Sequence, residues 1–252
     1  MRRIHLTVEY DGTDYAGWQR QSNAMTVQEQ LERAVKRLTG ETVCVSGASR
    51  TDAGVHALGQ SAHFDTESRI PADKFSFALN TLLPPDIRVV RSEEVSAEFH
   101  SRFSGHGKRY RYLIHAAPHA GALDRRTHAH VIYPLDVGKM RREALDLVGT
   151  HDFAAFAASG SVVKDTVRTI YRVEVSQHGS EICLIVEGNG FLYNMVRIIA
   201  GTLIGVGSGK LAPGAFRRAI ESGSRLDLGV TAPAHGLTLM EVFYTLEEEN
   251  RK

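Results

Sequence analysis

The sequence predicts an α+β fold in which two related split β-α-β halves form one mostly antiparallel sheet, with helices on one side and a central cleft. Three observations support this prediction. Apolar residues in residues 1–105 follow the order β-α-β-β-α-β, residues 106–252 repeat a related order less cleanly, and no low-complexity linker separates the two halves. With 252 residues, 42% of them hydrophobic, the chain can form a substantial core.

The first half begins with alternating apolar residues, which predict a half-buried strand. Thr26 and Glu29 form a capping box, and the apolar stripe that follows predicts a helix ending at Gly40. Pro71 is suited to the first turn of a second helix. The predicted strands of this half cover residues 4–10, 42–46, 60–64 and 87–90.

The second half is predicted from the same kinds of pattern. Strands are expected at residues 110–115, 167–175, 181–187 and 239–246, and helices at 136–148 and 192–206. A groove between two similar halves would suit an extended ligand.

Composition narrows the class of protein. Cys44 and Cys183 lie far apart in apolar runs, which predicts reduced, packed thiols rather than a disulfide framework or a zinc site. No segment approaches 18 consecutive apolar residues, and the N-terminus runs directly into a strand pattern. We therefore expect a cytoplasmic protein.

Positive charge is concentrated in one segment, residues 100–142, which holds nine Lys or Arg residues and two acids. This segment carries +7, whereas the whole chain carries +1. Within it, residues 108–112 alternate cations with aromatic rings, a pattern that suits phosphate contacts and stacking on unpaired bases. A solvated basic face is an equally good interpretation.

Asp52 is the candidate nucleophile. It lies between Arg50 and the small residues Ala53 and Gly54, just after an apolar strand. A guanidinium favours the ionised carboxylate, and small residues allow a sharp turn and close approach of a substrate. The alternative is a structural aspartate that caps the following turn.

Arg197 is the only charge in an apolar helical segment, residues 191–206. A helix that is apolar on nearly every face is buried, so this arginine must reach an edge or meet an acid. Asp52 is the partner that we predict, and extension of the side chain to an edge is the alternative.

Two other patterns are not functional motifs. Residues 205–210 contain glycines and a lysine, but Leu211 occupies the position where a phosphate loop needs Ser or Thr. His128 and His130 lack a third metal ligand at a persuasive spacing. The sequence predicts neither a metal nor another cofactor.

Several ordered motifs resemble the TruA family of tRNA pseudouridine synthases over nearly the whole chain. The residues that carry the resemblance are 10–13 (YDGT), 17–21 (GWQRQ), 50–56 (RTDAGVH), 99–104 (FHSRFS), 108–112 (KRYRY), 194–197 (NMVR) and 235–237 (HGL).

The resemblance implies that Asp52 is the catalytic aspartate, that Tyr110 stacks on the target base, and that Arg197 is the basic partner of the aspartate. It also implies that Arg50 helps to extrude the base. Ser49 departs from the glycine that the family usually has before that arginine. The segment containing Lys108, Arg109 and Arg111 would then hold the tRNA stem and loop.

The family further implies a homodimer that binds tRNA across both subunits and needs no cofactor. Its substrate would be uridine on the 3′ side of the anticodon stem-loop, at tRNA positions 38, 39 and 40. Two other functions are alternatives: a non-catalytic RNA-binding protein in which Asp52 is structural, and an aspartate-dependent hydrolase of a nucleoside or sugar.

Overall fold

The computed structural model describes residues 1–157 and 165–244, in which the chain forms two compact units. The first unit comprises Met1–His106 and the described residues from Thr238 onward, and the second unit comprises Gly107–Leu237. The described residues contain five α-helices and ten strands, which confirms the α+β class. No helix in these ranges is both long enough and apolar enough to cross a membrane.

The helices and strands have the following bounds. The first unit contains β1 (Arg2–Tyr10), α1 (Val27–Thr39), β2 (Ser46–Gly47), β3 (His56–Thr66), α2 (Phe75–Asn80) and β4 (Ile87–Val95). The second contains β5 (Gly107–Ala116), β6 (Ala129–Val131), α3 (Val137–Ala144), β7 (Gly149–Asp152), β8 (Val167–His178), β9 (Glu181–Gly188), α4 (Met195–Gly207) and α5 (Ala215–Ser222). The last described strand is β10 (Leu237–Phe243).

The sheet of the first unit has the order β4-β1-β3-β10. Strand β1 is antiparallel to both β3 and β4, whereas β10 runs parallel to β3. One face of the sheet is apolar and carries the helices, as the ring contact between Phe64 of β3 and Phe75 of α2 shows (5.6 Å between centroids). The opposite face carries His5 and His63, both of which contact the ring of Phe99.

Helix α1 has the ends that its sequence predicts. The Thr26 hydroxyl accepts a hydrogen bond from the Glu29 amide (3.4 Å), and Gly40 ends the helix with φ 80°. Leu31 and Val35 are fully buried, in agreement with the predicted apolar stripe.

The sheet of the second unit has the order β5-β9-β8-β7, with antiparallel pairing throughout, and β6 runs parallel to β5. Helix α4 is the most deeply buried helix of this unit. All its residues are buried except Arg197 and Ile204, which are half-buried. A Cβ on Gly201 would lie 1.8 Å from the carbonyl oxygen of Val230, so glycine is what lets this helix approach residues 229–232.

Several predicted elements differ from the structure. The predicted strand at residues 42–46 is reduced to the two residues of β2, and the helix predicted from Pro71 is a 3-10 turn at Ala72–Lys74 followed by the short α2. The predicted helix at 136–148 ends at Ala144 and continues as a 3-10 turn. The final strand ends at Phe243, and residues 245–246 of that prediction lie outside the described residues.

The division of the chain also differs at its end. The sequence-based division assigned residues 106–252 to one half, but the described residues from Thr238 belong to the first unit. The physical reason is strand pairing, because Thr238 and Leu239 lie opposite His56 and Ala57 of β3.

Candidate active site

The loop that carries Asp52, residues 48–55, is anchored at its start by hydrogen bonds to the side chain of a buried glutamine. Gln60 is fully buried, and its side-chain oxygen accepts a hydrogen bond from the Ser49 amide (3.1 Å) while its nitrogen donates to the Ser49 carbonyl (2.7 Å). A side-chain amide thus replaces the missing strand neighbour at Ser49 and satisfies both of its backbone groups. This Asp52 loop therefore has a fixed starting point.

Thr51 provides a second attachment. Its hydroxyl forms a buried hydrogen bond with the Tyr10 hydroxyl (2.7 Å), and its carbonyl accepts a bond from the Trp18 amide (3.1 Å). A Cβ on Gly17 would lie 2.5 Å from the Thr51 carbonyl oxygen, so only glycine permits this contact. The motif segments 10–13 and 17–21 therefore serve to position the segment 50–56.

The far end of the loop is equally close-packed. A Cβ on Gly12 would lie 2.0 Å from the carbonyl oxygen of Val55, and the Gly12 amide donates to Nδ1 of the buried His56 (3.0 Å). The Val55 amide donates to the Asp52 carbonyl (3.1 Å), and Gly54 has φ 77°. The loop thus closes as a tight turn immediately after Asp52.

Asp52 itself is half-buried, whereas Arg50 is exposed. The Arg50 side chain forms no hydrogen bond or ion pair with any residue that the structure describes. Arg50 is therefore available to a ligand. Ser49 does not have a positive φ, which explains why serine fits at a position where glycine was expected.

Tyr110 lies on β5 in the second unit, where it is buried and contacts the ring of Phe191 edge-on (5.1 Å between centroids). It lies opposite Val186 of β9, on the face where the neighbouring Tyr112 is also buried. Its position on a paired strand gives the phenol ring a defined orientation.

Arg109 and Arg111 lie on the opposite face of β5 from Tyr110, because successive side chains of a strand alternate. Arg109 donates to the buried carboxylate of Glu187 (2.7 Å), and Arg172 lies 3.8 Å from the same carboxylate. The Arg111 Nε atom is buried and has no hydrogen-bond partner in the described ranges. Lys108 is half-buried on the same face as Tyr110. The five-residue run does not form a single basic surface.

Arg197 lies in the first turn of α4, where hydrogen bonds to Ala232 and Asn194 orient its guanidinium. Nε donates to the Ala232 carbonyl (2.8 Å), and Nη1 donates to the Asn194 side-chain oxygen (2.6 Å). The Ala232 amide donates in return to the Arg197 carbonyl (3.1 Å). Arg197 is half-buried, and it belongs to the second unit while Asp52 belongs to the first, so their pairing stays a prediction.

The late motif, residues 235–237, lies beside Tyr112. A Cβ on Gly236 would lie 2.6 Å from the Tyr112 ring, whose hydroxyl donates to the Pro233 carbonyl (2.8 Å). Burial raises the pKa of Tyr112 far above its usual value, and the nearby charge of Arg197 opposes this effect. Tyr112 is therefore a neutral hydrogen-bond donor that holds residues 232–236 in place.

Metal-ligating clusters of three or more residues are absent from residues 1–157 and 165–244. His128 contacts Glu181 (2.9 Å), and His130 contacts the Ala117 carbonyl (2.8 Å).

Two residues of the candidate site were missed by the sequence reasoning. No sequence pattern indicated the role of Gln60, because a glutamine in an apolar strand does not show which backbone groups it will bind. Asn194 belongs to the motif at residues 194–197, but the sequence assigned a role in that motif only to Arg197.

Comparison with known proteins gives a consistent result. A family model described as tRNA pseudouridine synthase matches residues 6–104 and 144–245. These segments include Asp52 and Arg197, whereas Tyr110 lies between them.

Proteins named tRNA pseudouridine synthase A are similar over nearly the whole chain. The one from Ruminiclostridium cellulolyticum is 55% identical, the one from Acetivibrio thermocellus 53%, and the one from Thermoanaerobacter sp. 48%. Each alignment covers 97% of this chain and 100% of the relative.

Proposed function

Because the chain belongs to the tRNA pseudouridine synthase family, we propose that it isomerises uridine to pseudouridine in the anticodon stem-loop of tRNAs, with Asp52 as the nucleophile. Isomerisation of tRNA uridine is the activity that the relatives' shared name describes. The position of the target uridine and the role of Asp52 are the specific parts of the proposal.

The reaction is an isomerisation, so it consumes no second substrate. The bond between C1′ and N1 breaks, the uracil rotates, and C1′ joins C5. C5 loses a proton and N1 gains one, so the overall composition is unchanged. An ionised aspartate could attack C1′, attack C6, or stabilise a glycal route. Each of these routes needs a carboxylate held beside an unstacked uridine. The reaction involves no redox change, so we propose that the enzyme needs no cofactor.

The observation that carries the proposal is the rigid support of the Asp52 loop. Gln60 forms two hydrogen bonds with Ser49 on the N-terminal side of Asp52, and the Thr51 hydroxyl is hydrogen-bonded to the Tyr10 hydroxyl. The turn at Gly54 fixes the chain on the C-terminal side of Asp52. Positioning within a fraction of an ångström is what distinguishes a catalytic carboxylate from one that merely caps a turn.

The other side chains have proposed roles that suit their surroundings. The ring of Tyr110 is held edge-on by Phe191 and would stack on the extruded base, while the phenol could relay the C5 proton. Arg197, whose guanidinium is already oriented, would pair with Asp52. Arg50 is exposed and makes no ion pair among the described residues, which suits insertion in place of the extruded base.

The remaining proposals concern tRNA binding and assembly. Lys108, Arg109 and Arg111 would contribute to contacts with the tRNA backbone, although the ion pair between Arg109 and Glu187 reduces the charge that Arg109 can offer. We also propose that the protein is a homodimer that binds one tRNA across both subunits in the cytoplasm.

The decisive experiment measures tritium release from a tRNA transcript labelled at C5 of uridine. Asp52→Asn keeps the size of the side chain and removes its charge, so turnover should fall by about a thousandfold or more while tRNA affinity stays within about twofold. Asp73→Asn is the matched control, because Asp73 is an exposed carboxylate in the same unit, and it should behave like the parent.

The outcomes separate the alternatives. Appreciable release by Asp52→Asn contradicts the nucleophile assignment. Formation of free uracil from uridine without tRNA, with the label retained at C5, favours the small-molecule hydrolase. Pseudouridine formed by the parent only outside the anticodon stem-loop contradicts the proposed target position.

A further inference from the structure

Asn194 has an unusual backbone conformation for its residue type. Among the residues that the structure describes, it is the only one other than glycine with a positive φ (62°). Asparagine adopts this left-handed region more readily than most residues, but the conformation still carries strain. Such strain persists only where the surrounding structure enforces it, and it concentrates at functional sites.

The side chain of Asn194 is not used in the way its position suggests. Asn194 is the N-cap of α4, where an asparagine side chain normally accepts a hydrogen bond from the second or third amide of the helix. Here it makes no capping bond, and its oxygen instead accepts from Nη1 of Arg197 (2.6 Å). The first turn of the helix therefore goes without the usual side-chain cap.

The bond to Asn194 complements the bond from Arg197 Nε to the Ala232 carbonyl (2.8 Å). The bond at Nη1 holds the guanidinium at a second atom and so restricts the tilt of its plane about the bond at Nε. Arginine otherwise has many rotamers, and ordering it only when the substrate binds would reduce the rate.

We propose that Asn194 is a positioning residue, which fixes the guanidinium plane of Arg197 at the expense of the helix cap. Its effect on catalysis rests on the proposed function, whereas the hydrogen bond itself does not. Nothing in the family match assigns a role to this asparagine.

Two substitutions separate the backbone role of Asn194 from its side-chain role. Glycine adopts a φ of 62° without strain but has no side-chain oxygen, so Asn194→Gly should keep the parent's thermal stability within about 2 °C. Asn194→Ala loses both properties and should be less stable. Asn189→Gly is the matched control, because the Asn189 side chain accepts from the Thr169 amide (3.0 Å) and belongs to the same loop.

Two measurements test the proposal. The first is the hydrogen-exchange rate of the Arg197 Nη1 protons by NMR, with the signal assigned through its absence in Arg197→Lys; Asn194→Gly should raise this rate about fivefold or more. The second is tritium release, in which Asn194→Gly should lower kcat about tenfold while KM for tRNA stays within about twofold. Asn189→Gly should change neither.

A parent-like exchange rate in Asn194→Gly would overturn the proposed contact. A raised exchange rate with parent-like kcat would overturn the positioning role. If Asn194→Gly is as unstable as Asn194→Ala, Asn194 is needed for folding and the proposal is wrong. If the parent itself shows no tritium release, the proposed function fails, but the exchange rate still decides whether Asn194 fixes Arg197.

Discussion

Replacing Gln60 with leucine would test whether the buried amide positions the Asp52 loop. Leucine has nearly the same volume as glutamine but cannot form hydrogen bonds, so the Ser49 amide and the Ser49 carbonyl would each lose the bond to residue 60. Gln60 is fully buried and Ser49 is 5% exposed, so water would not readily replace either bond.

The expected loss of stability follows from these two bonds. A buried backbone group without a partner costs about 1–3 kcal/mol, so two such groups cost about 2–6 kcal/mol. The greater apolar character of leucine offsets part of this, and we expect a net loss of about 3 kcal/mol in the free energy of unfolding. Domains of this kind are stable by about 5–15 kcal/mol, so the variant should still fold.

Urea unfolding measures the stability, and tritium release measures the activity. Displacement of Ser49 moves the backbone three residues from Asp52, so kcat should fall at least about tenfold even where the protein is fully folded. Gln177→Leu is the matched control, because the Gln177 side chain is exposed and donates a hydrogen bond to the nearby Gly179 carbonyl (3.1 Å). If Gln60→Leu matches this control within about 0.5 kcal/mol and has the kcat of the parent, the reasoning is refuted.

Two further predictions concern the first unit. Burial lowers the pKa of His63 from 6.5 to about 4, so its contribution to stability is complete above pH 6.5 and is lost as the pH falls towards 4. Between pH 7 and pH 4 the parent should lose about 3 kcal/mol more than His63→Asn does in urea unfolding, whereas the exposed control His178→Asn should follow the parent. Gly12→Ala should cost about 2–3 kcal/mol and lower kcat, because its Cβ would lie 2.0 Å from the Val55 carbonyl oxygen. Gly190→Ala, whose Cβ would meet only the flexible Arg168 side chain at 3.5 Å, should leave both quantities unchanged.

Elements with complete local signals could be predicted from the sequence. Helix α1 is the best example, because Thr26 and Gly40 determine its two ends through contacts within a few residues. The buried helix α4 was predicted from residue 192 but begins at Met195. The left-handed conformation of Asn194 accounts for that difference, and nothing in an apolar run indicates it.

The candidate site could be predicted only in part. Asp52 was found because the turn and the family motif are local, whereas its support by Gln60 depends on a contact between positions 11 residues apart on different elements. The separation of Arg109 and Arg111 from Tyr110 could have been found, since alternation along one strand already assigns them to opposite faces. The pairing of Arg109 with Glu187 could not have been found, because Glu187 comes from another strand 78 residues away.

The parallel pairing of β10 with β3 affects how the protein is made on the ribosome. Most of the first unit is translated first, but the start of β3, at His56 and Ala57, lacks its parallel neighbour until the residues of β10 have been synthesised. The second unit is continuous in sequence and can complete its own sheet before then. The nascent chain therefore exposes an unpaired strand edge next to the Asp52 loop for most of translation, which is when binding by chaperones would protect it from aggregation.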